Sequence, residues 1–185
     1  INQFNLDQDS DPQHYGIGFK EVWDIKPELH EEGLVIHTMG WPAVKGVLSG
    51  SYFYHGENNQ AFLGYIVPLD YDNPHISPFD EFQQWKHQTS IKKYLEGGTR
   101  TAYGARALIK GGYQSIPKMH FPGGLLVGDD AGTMNFPRIK GTHTAMKSGM
   151  IGAESIYEEL AKEESDKDIA NFQSNLQSSW LEKEL

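Results

Sequence analysis

The chain has 185 residues, of which 20 are glycine and none is cysteine, and its net charge is −9. This length allows one domain, or one domain with appended elements, around a real hydrophobic core. The lack of cysteine excludes disulfides, thiolate zinc sites, iron–sulfur ligation and cysteine nucleophiles from this chain. Runs without a charged side chain reach 13 residues, which is too short for a membrane-spanning helix. We also expect no signal segment.

Glycine and charge are both unevenly distributed. Twelve of the 20 glycines lie between Gly97 and Gly152. Residues 86–147 carry a net charge of +7, whereas residues 1–85 carry −10 and residues 148–185 carry −6. Glycine permits positive φ and close approach of a ligand to the backbone, and amides with nearby cations suit an anionic group. The middle of the chain is therefore a candidate for holding a phosphate-bearing cofactor, with ordinary scatter of surface charge as the alternative.

Four β-rich runs separated by turn residues occupy the first part of the chain. They cover residues 16–25, 33–41, 51–55 and 61–68. Segments of Val, Ile, Tyr, Phe and Trp between Gly and Pro predict a meandering antiparallel sheet. Residues 51–54 and 61–67 form the expected hairpin.

Two short helices and two further strands are expected next. Ser77 as the N-cap and Pro78 at the first helical position predict the first helix. Ser90 is the expected cap of the second helix, which Gly97-Gly98 ends. Residues 101–108 and 113–119 are predicted strands. The first helix carries three aromatic residues at a spacing of three on one face: Phe79, Phe82 and Trp85.

A strand, a loop and a long helix follow from residue 125. The apolar run 125–127 predicts a buried strand, and a glycine-containing loop over 129–141 leads into a helix beginning near Thr142. A final helix is expected over about 167–177. The fold class is thus α+β, an antiparallel or mixed sheet with flanking helices followed by a strand–loop–helix unit. The long helix has a predicted apolar face at spacings of three and four: Met146, Met150, Ala153, Tyr157 and Leu160.

The strand–loop–helix unit has the chemistry of a cofactor site. The amides at a helix N-terminus stabilise an electron-rich group. Asp129 would repel a phosphate, and a carboxylate there suits sugar hydroxyls instead. A flavin dinucleotide offers both hydroxyls and an electron-rich group. Its ribityl hydroxyls suit Asp129, and its ring edge, which becomes anionic on reduction, suits the amides near 141–143. The alternative is an ordinary βα unit with a glycine loop.

Several stretches resemble one enzyme family, the electron transfer flavoprotein–ubiquinone oxidoreductases. The resemblance rests on FPGGLLVG (121–128), AGTMN (131–135) and KGTHTAMKSG (140–149). Further similar segments lie upstream, in the same order as in the family: GIGFKEVWDI (16–25), GLVIHTMGWP (33–42), SPFDEFQQWK (77–86), LEGGTR (95–100), YGARAL (103–108) and GGYQSIPK (111–118). Downstream, AESIYEEL (153–160) and the tail to SSWLEKEL (178–185) continue it. The likeness covers essentially the whole chain.

The resemblance implies an enzyme that passes electrons from reduced electron transfer flavoprotein through FAD and a [4Fe–4S] cluster to membrane ubiquinone. The chain matches only the middle of the family's sequence. We expect a ubiquinone-binding domain over 1–120, a second FAD-contacting segment over 121–164, and a helix over 165–185 that leads toward a cluster domain. The amino-terminal G-x-G-x-x-G fingerprint and the cluster cysteines are not in this sequence. The pair Asp129-Asp130 departs from the family, where a cysteine and a small residue are expected.

Site residues follow from the resemblance. A glycine pair in the family donates backbone N–H groups to a quinone carbonyl, and we assign it to Gly97-Gly98, with Gly111-Gly112 as the rival. No side chain here is expected to be an acid–base catalyst, since the flavin carries the electron chemistry. The implied FAD contacts are Gly128, Asp129, Gly132, Met134 and Asn135 at the ribityl chain and ring, and Lys140, Gly141 and Thr142 through amides at the pyrimidine edge.

The expected partners are electron transfer flavoprotein, ubiquinone and a membrane surface contacted from one side. The location would be the mitochondrial inner membrane in a eukaryote or the cytoplasmic membrane in a bacterium. Nucleic acid is disfavoured because the aromatic-rich residues 51–85 belong to the acidic part. No H-E-x-x-H, G-x-S-x-G or Walker motif is found, and no metal site is expected. The alternatives are a geranylgeranyl-reductase-like FAD enzyme, suggested by Asp129-Asp130, and a quinone- or lipid-binding module without activity of its own.

Overall fold

The structure is a computed structural model, and it describes residues 1–42, 47–162, 168–169 and 171–185. The chain divides into two compact units. The first, here called the sheet unit, is Tyr15–Leu108; the second, here called the helical unit, consists of Ile1–His14 and Ile109–Leu185.

The sheet unit contains a five-stranded sheet with the order β2-β3-β4-β1-β5. Strands β1 and β4, β4 and β3, and β3 and β2 pair antiparallel, so the predicted α+β class and the predicted hairpin are confirmed. Phe19 lies opposite Tyr65, and Phe53 lies opposite Leu63. The strands are β1 (Tyr15–Asp24), β2 (Val35–Met39), β3 (Gly50–His55), β4 (Gln60–Pro68) and β5 (Thr99–Ile109).

Two helices cover one face of the sheet, α1 (Pro78–Lys86) and α2 (Thr89–Leu95). The Ser77 hydroxyl accepts a hydrogen bond from the Asp80 N–H at 3.3 Å, so the predicted cap of α1 is confirmed. Phe82 and Trp85 are fully buried, whereas Phe79 is half exposed. The predicted cap of α2 at Ser90 is wrong, because Gln88 is the N-cap residue and Ser90 lies within the helix. Phe82 and Trp85 pack in one core with sheet residues that alternate along β3 and β4: Phe53, Leu63, Tyr65 and Val67.

A buried carboxylate lies between the sheet and α1. Glu21 on β1 is 2% exposed. It accepts hydrogen bonds from Trp23 Nε1 at 2.7 Å, from Lys86 Nζ at 2.9 and 3.0 Å and from Arg100 NH1 at 3.2 Å. Lys86 belongs to α1 and Arg100 to β5, so this one side chain links three elements of the sheet unit.

In its described residues, the helical unit has short strands and three α-helices around a second core. Its elements are β6 (His120–Phe121), β7 (Gly124–Leu125), α3 (Thr142–Leu160), α4 (Asn171–Ser178) and α5 (Leu181–Glu184). The final helix, expected over about 167–177, corresponds to α4, and residues 163–167 and 170 lie outside the described part of the chain. The core residues of this unit are Met119, Ala131, Ile151, Phe172, Leu176 and Leu181.

Two predicted strands of the helical unit are wrong. Residues 113–119 contain a 3-10 turn, Tyr113–Ser115, where the Ser115 hydroxyl donates to Pro12 O at 3.1 Å and lies 3.3 Å from Gly111 O. The predicted strand 125–127 shrinks to β7, which pairs with β6 around a turn containing Gly123 at φ +86°. Side-chain hydrogen bonds and a left-handed glycine thus interrupt runs that read as extended by composition alone.

The apolar stripe predicted on α3 is exposed and does not lie in the core of its unit. Met146, Met150, Tyr157 and Leu160 are more than half exposed. The helix instead packs through small and hydroxyl-bearing residues, because these let its axis come close to its neighbours. The Ser148 hydroxyl accepts a hydrogen bond from the Gly128 N–H at 2.8 Å. The buried face consists of Thr144, Ser148, Ile151, Gly152, Ser155 and Glu159.

Candidate cofactor-binding site

The N-terminus of α3 presents backbone amides without a capping side chain. Gly141 is the N-cap residue, and no side-chain cap hydrogen bond is made there. The Thr144 hydroxyl donates to Gly141 O at 2.8 Å, which fixes the start of the helix. Thr142 and His143 are exposed. A 19-residue helix with an uncapped first turn leaves N–H groups and a positive dipole end available to an electron-rich group.

The turn before this helix depends on two glycines with left-handed backbone. Gly128 has φ +64° and Gly132 has φ +87°, at the two ends of a 3-10 turn, Gly128–Ala131. The Gly132 N–H donates to Asp129 O at 3.0 Å, and the Thr133 N–H donates to Gly128 O at 3.2 Å. These bonds compact the turn while the Asp129 side chain stays exposed at the surface of the helical unit.

A small bridge joins the remaining predicted FAD residues. The Asn135 N–H donates to Lys140 O at 2.9 Å, and the Lys140 N–H donates to Asn135 O at 3.1 Å. Met134 lies against Gly141, where a Cβ would be 3.3 Å from Met134 Cγ. The structure therefore brings residues 134, 135, 140 and 141 together, as the sequence predicted for one site.

The side chain of Asn135 makes its hydrogen bonds to other protein atoms. Asn135 is 7% exposed. Its Oδ1 accepts a hydrogen bond from the Arg138 N–H at 3.1 Å, and its Nδ2 donates to Glu184 O. Asn135 consequently shapes the loop, and its side chain points at protein atoms in this structure.

Glu184, which sequence reasoning missed, lies against the same loop. Its carboxylate accepts hydrogen bonds from Arg138 NH1 at 3.0 Å and from His143 Nε2 at 3.1 Å. The hydrogen bond from His143 and the charge of Arg138 lower the pKa of this carboxyl group. The only sequence signal was the contrast between a basic middle and an acidic end, which does not identify the residue.

These groups suit a flavin dinucleotide. The buried Thr133 hydroxyl has no hydrogen-bond partner among the described residues and is 0% exposed, so the loop has an unused polar atom. Uncapped amides, left-handed glycines that admit close backbone approach, and an exposed carboxylate supply donors for a ring edge and an acceptor for hydroxyls. The donor set of residues 128–142 therefore fits the group that the sequence implied.

The two glycine pairs considered for quinone lie in different units. Gly97 follows α2 in the sheet unit with φ +74°. The Gly98 N–H donates to Leu95 O at 3.0 Å, and a Cβ at Gly98 would be 2.9 Å from Asp24 O. In the helical unit, the Gly111 N–H donates to Gln13 Oε1 at 2.8 Å. Gly98 and Gly111 therefore already use their amides within the fold.

The described residues do not form the other kinds of site considered. Across residues 1–42, 47–162, 168–169 and 171–185, no group of three or more metal-ligating side chains is assembled. Within the same ranges, no helix is long and apolar enough to cross a membrane. A groove of about 480 Å³ in the helical unit is lined by residues including Leu6, Tyr113 and Leu176, and it contains none of the predicted site residues.

Comparisons with known proteins point to one family. The family model described as "ETF-QO, ubiquinone-binding" matches residues 15–108. The chain is 56% identical to the electron transfer flavoprotein-ubiquinone oxidoreductase of Pseudomonas aeruginosa, covering 100% of this chain and 34% of that protein. It is 51% identical to the mitochondrial protein of that name from Sus scrofa, covering 99% of this chain and 31% of that protein. The chain thus spans about a third of the length of these curated relatives.

The fold is also similar to that of a solved structure. A triple mutant of the flavin-dependent brominase Bmp2 matches with a TM-score of 0.55 and 15% sequence identity, covering 81% of this chain and 38% of that chain. At this identity the likeness shows the fold alone.

Proposed function

Because the chain belongs to the electron transfer flavoprotein–ubiquinone oxidoreductase family, we propose that it supplies part of an FAD site and the ubiquinone-binding region of such an enzyme. The complete enzyme would take electrons from reduced electron transfer flavoprotein and pass them to ubiquinone at a membrane. The single observation that carries the FAD part is the uncapped N-terminus of α3 beside the glycine turn 128–132.

Residues of this chain would bind and orient the flavin rather than react. When bound, FAD supplies the hydride and electron chemistry. Exposed Asp129 would accept hydrogen bonds from ribityl hydroxyls, and the amides of Gly141 and Thr142 would donate to the pyrimidine edge. Gly128 and Gly132 would keep the backbone close enough for these contacts. Met134 and Lys140 would complete the ring side of the site.

The remaining parts of the electron path would come from elsewhere in the enzyme. This chain has no cysteine, so the [4Fe–4S] cluster would be held by other residues of the complete protein. We propose residues 1–120 as the quinone-binding part, 121–164 as the second FAD-contacting segment, and 165–185 as the start of the path toward the cluster. The membrane surface, at the mitochondrial inner membrane or the bacterial cytoplasmic membrane, would be contacted from one side.

The quinone would lie in the sheet unit, which contains the stretch matched by the ubiquinone-binding family model. Of the pair Gly97-Gly98 we assign the donor role to the Gly97 amide, because the Gly98 N–H already donates to Leu95 O at 3.0 Å. A quinone head group needs an apolar slot with one or two donors, and a bare amide gives a donor without filling the slot. Residue 97 is also constrained by its positive φ and by Lys26, whose Cε would be 2.4 Å from an added Cβ.

Replacing Gly97 with Val in the complete oxidoreductase should reduce electron transfer to ubiquinone at least about tenfold, because the added side chain would crowd a quinone that approaches the Gly97 amide and would strain the backbone. Reduction of the flavin by electron transfer flavoprotein should continue at the wild-type rate. Stopped-flow flavin absorbance and steady-state quinone reduction measure the two steps. Gly33→Val is the matched control, since Gly33 has φ +78° with nothing within 4 Å of an added Cβ. Equal quinone kinetics in both variants would contradict the assignment.

A further inference from the structure

Glu184 makes contacts on both sides of the segment that carries the proposed flavin-facing amides. On one side Arg138 NH1 lies 3.0 and 3.1 Å from the two carboxylate oxygens, and Asn135 Nδ2 donates to the backbone oxygen of Glu184. On the other side His143, in the first turn of α3, lies 3.1 Å from Glu184 Oε1. Residues 140–142 lie between these contacts in sequence, so Glu184 holds the loop on both sides of them, an arrangement called the clamp below.

The chain before Glu184 adds a second contact to α3. The Trp180 ring stacks on His143 with ring centroids 5.8 Å apart and an interplanar angle of 2°. The side chain of Glu184 is 19% exposed, whereas those of Arg138 and His143 are 67% and 42% exposed. Each ion pair by itself is therefore a weak surface interaction, and the constraint on the loop comes from the several contacts acting together.

The clamped loop also stores backbone strain. Ile139 has φ +56°, and its side chain is 52% exposed. A β-branched residue in the left-handed region is unfavourable and persists only where its surroundings fix it. The bridge between Asn135 and Lys140 and the contacts of Glu184 with Arg138 and His143 are such constraints. Without Glu184, the loop would be expected to relax.

We propose that Glu184 is a positioning residue for the flavin. It would hold the amides of Gly141 and Thr142 in place and offset the positive charge of Arg138 at the flavin's pyrimidine edge. This inference rests on the proposed FAD site, and it adds to that site a residue more than 40 positions further along the chain.

The charge of Glu184 gives the inference a specific electrochemical consequence. A flavin's pyrimidine edge gains negative charge on reduction, so a nearby carboxylate disfavours the reduced form and a nearby cation favours it. Glu184→Gln removes the carboxylate charge, keeps the side-chain shape and leaves Arg138 in place. The flavin midpoint potential of the complete oxidoreductase should therefore rise in Glu184→Gln.

The test compares Glu184→Gln and Glu184→Ala with Glu182→Gln, all in the complete oxidoreductase. Glu182→Gln is the matched control, because Glu182 lies in the same helix and contacts Tyr113 OH at 3.0 Å instead of the loop. Hydrogen exchange of the hydrogen-bonded loop amides of Asn135, Arg138 and Lys140, measured on the enzyme before FAD is added, should be about tenfold faster in Glu184→Ala, as loss of charged hydrogen bonds implies. It should be unchanged in Glu182→Gln. Spectroelectrochemistry then measures the potential.

Each outcome decides a different point. Faster exchange in Glu184→Ala together with a raised potential in Glu184→Gln supports the positioning role. Unchanged exchange, or a potential equal to that of the wild type and of Glu182→Gln, overturns it. If the wild-type oxidoreductase binds no FAD, the proposed function fails, and the exchange measurement still decides whether Glu184 holds the loop.

Discussion

Replacing Glu21 with Ala should destabilise the sheet unit by about 3–5 kcal/mol, because it leaves a buried cation without its partner. The Lys86 side chain is 11% exposed and would lose a carboxylate now 2.9 Å from its Nζ. The Trp23 indole N–H and Arg100 lose the same acceptor. Urea-induced unfolding followed by tryptophan fluorescence measures the loss, since Trp23, Trp41 and Trp85 all belong to the sheet unit.

Two variants separate this effect from a general sensitivity to charge removal. Glu96 pairs with Lys92 at 3.9 Å with both side chains more than half exposed, so Glu96→Ala should cost no more than about 1 kcal/mol. Removing both charges, with Glu21→Met and Lys86→Met together, should cost less than Glu21→Ala alone, since no buried charge is left unpaired. A Glu21→Ala midpoint within error of the Glu96→Ala midpoint would refute the burial argument.

Replacing Gly132 with Val should lower the FAD affinity of the complete oxidoreductase at least about tenfold, since left-handed backbone costs a β-branched residue about 1–3 kcal/mol. Gly132 has φ +87°, and an added Cβ would lie 3.1 Å from Gln13 Nε2 and 3.3 Å from Ile109 Cγ2. The variant loop would relax, and binding would require it to regain the strained form. Titration of the apoenzyme with FAD, followed by flavin fluorescence, gives the dissociation constant.

Gly123→Val provides a control with the same backbone strain outside the loop. Gly123 has φ +86°, and nothing lies within 4 Å of an added Cβ. Both variants place valine on left-handed backbone, so only a loss of FAD affinity specific to Gly132→Val supports the site. Equal FAD affinities in the two variants would count against a flavin contact at residues 128–142.

The sheet could be predicted because its pattern is local. In β3 and β4, alternate residues such as Phe53 and Leu63 are buried, and period two with turn residues between runs indicates a hairpin directly. The start of α1 was similarly predictable, since Ser77 and Pro78 act within one helical turn. Both features depend on neighbours in the sequence.

The packing face of α3 could not be read from hydropathy. The apolar residues Met146, Met150 and Tyr157 form a regular stripe, yet the face that packs carries Ser148 and Gly152. A stripe at helical spacing shows that a helix has an apolar side, but it does not show which side its own unit covers. Close approach through small residues decided the orientation here, and the exposed stripe remains an unpartnered surface in the described structure.

The candidate site was predictable in part. The glycines at 128 and 132 and the helix start near Thr142 followed from composition, turn chemistry and family resemblance, and the structure places them in one loop. Glu184 was not predictable, because its contacts with Arg138 and His143 join residues 41 or more positions apart. Such pairings depend on the tertiary fold and have no local signature.

The central claim is that residues 128–142 of this chain contact FAD in the complete oxidoreductase. A crystal structure of that enzyme with FAD bound tests it most directly. We expect the N–H groups of Gly141 and Thr142 within about 2.7–3.2 Å of the flavin's pyrimidine edge, with the Asp129 carboxylate beside the ribityl hydroxyls. A bound flavin that touches no residue between Gly128 and Thr142 would contradict the claim.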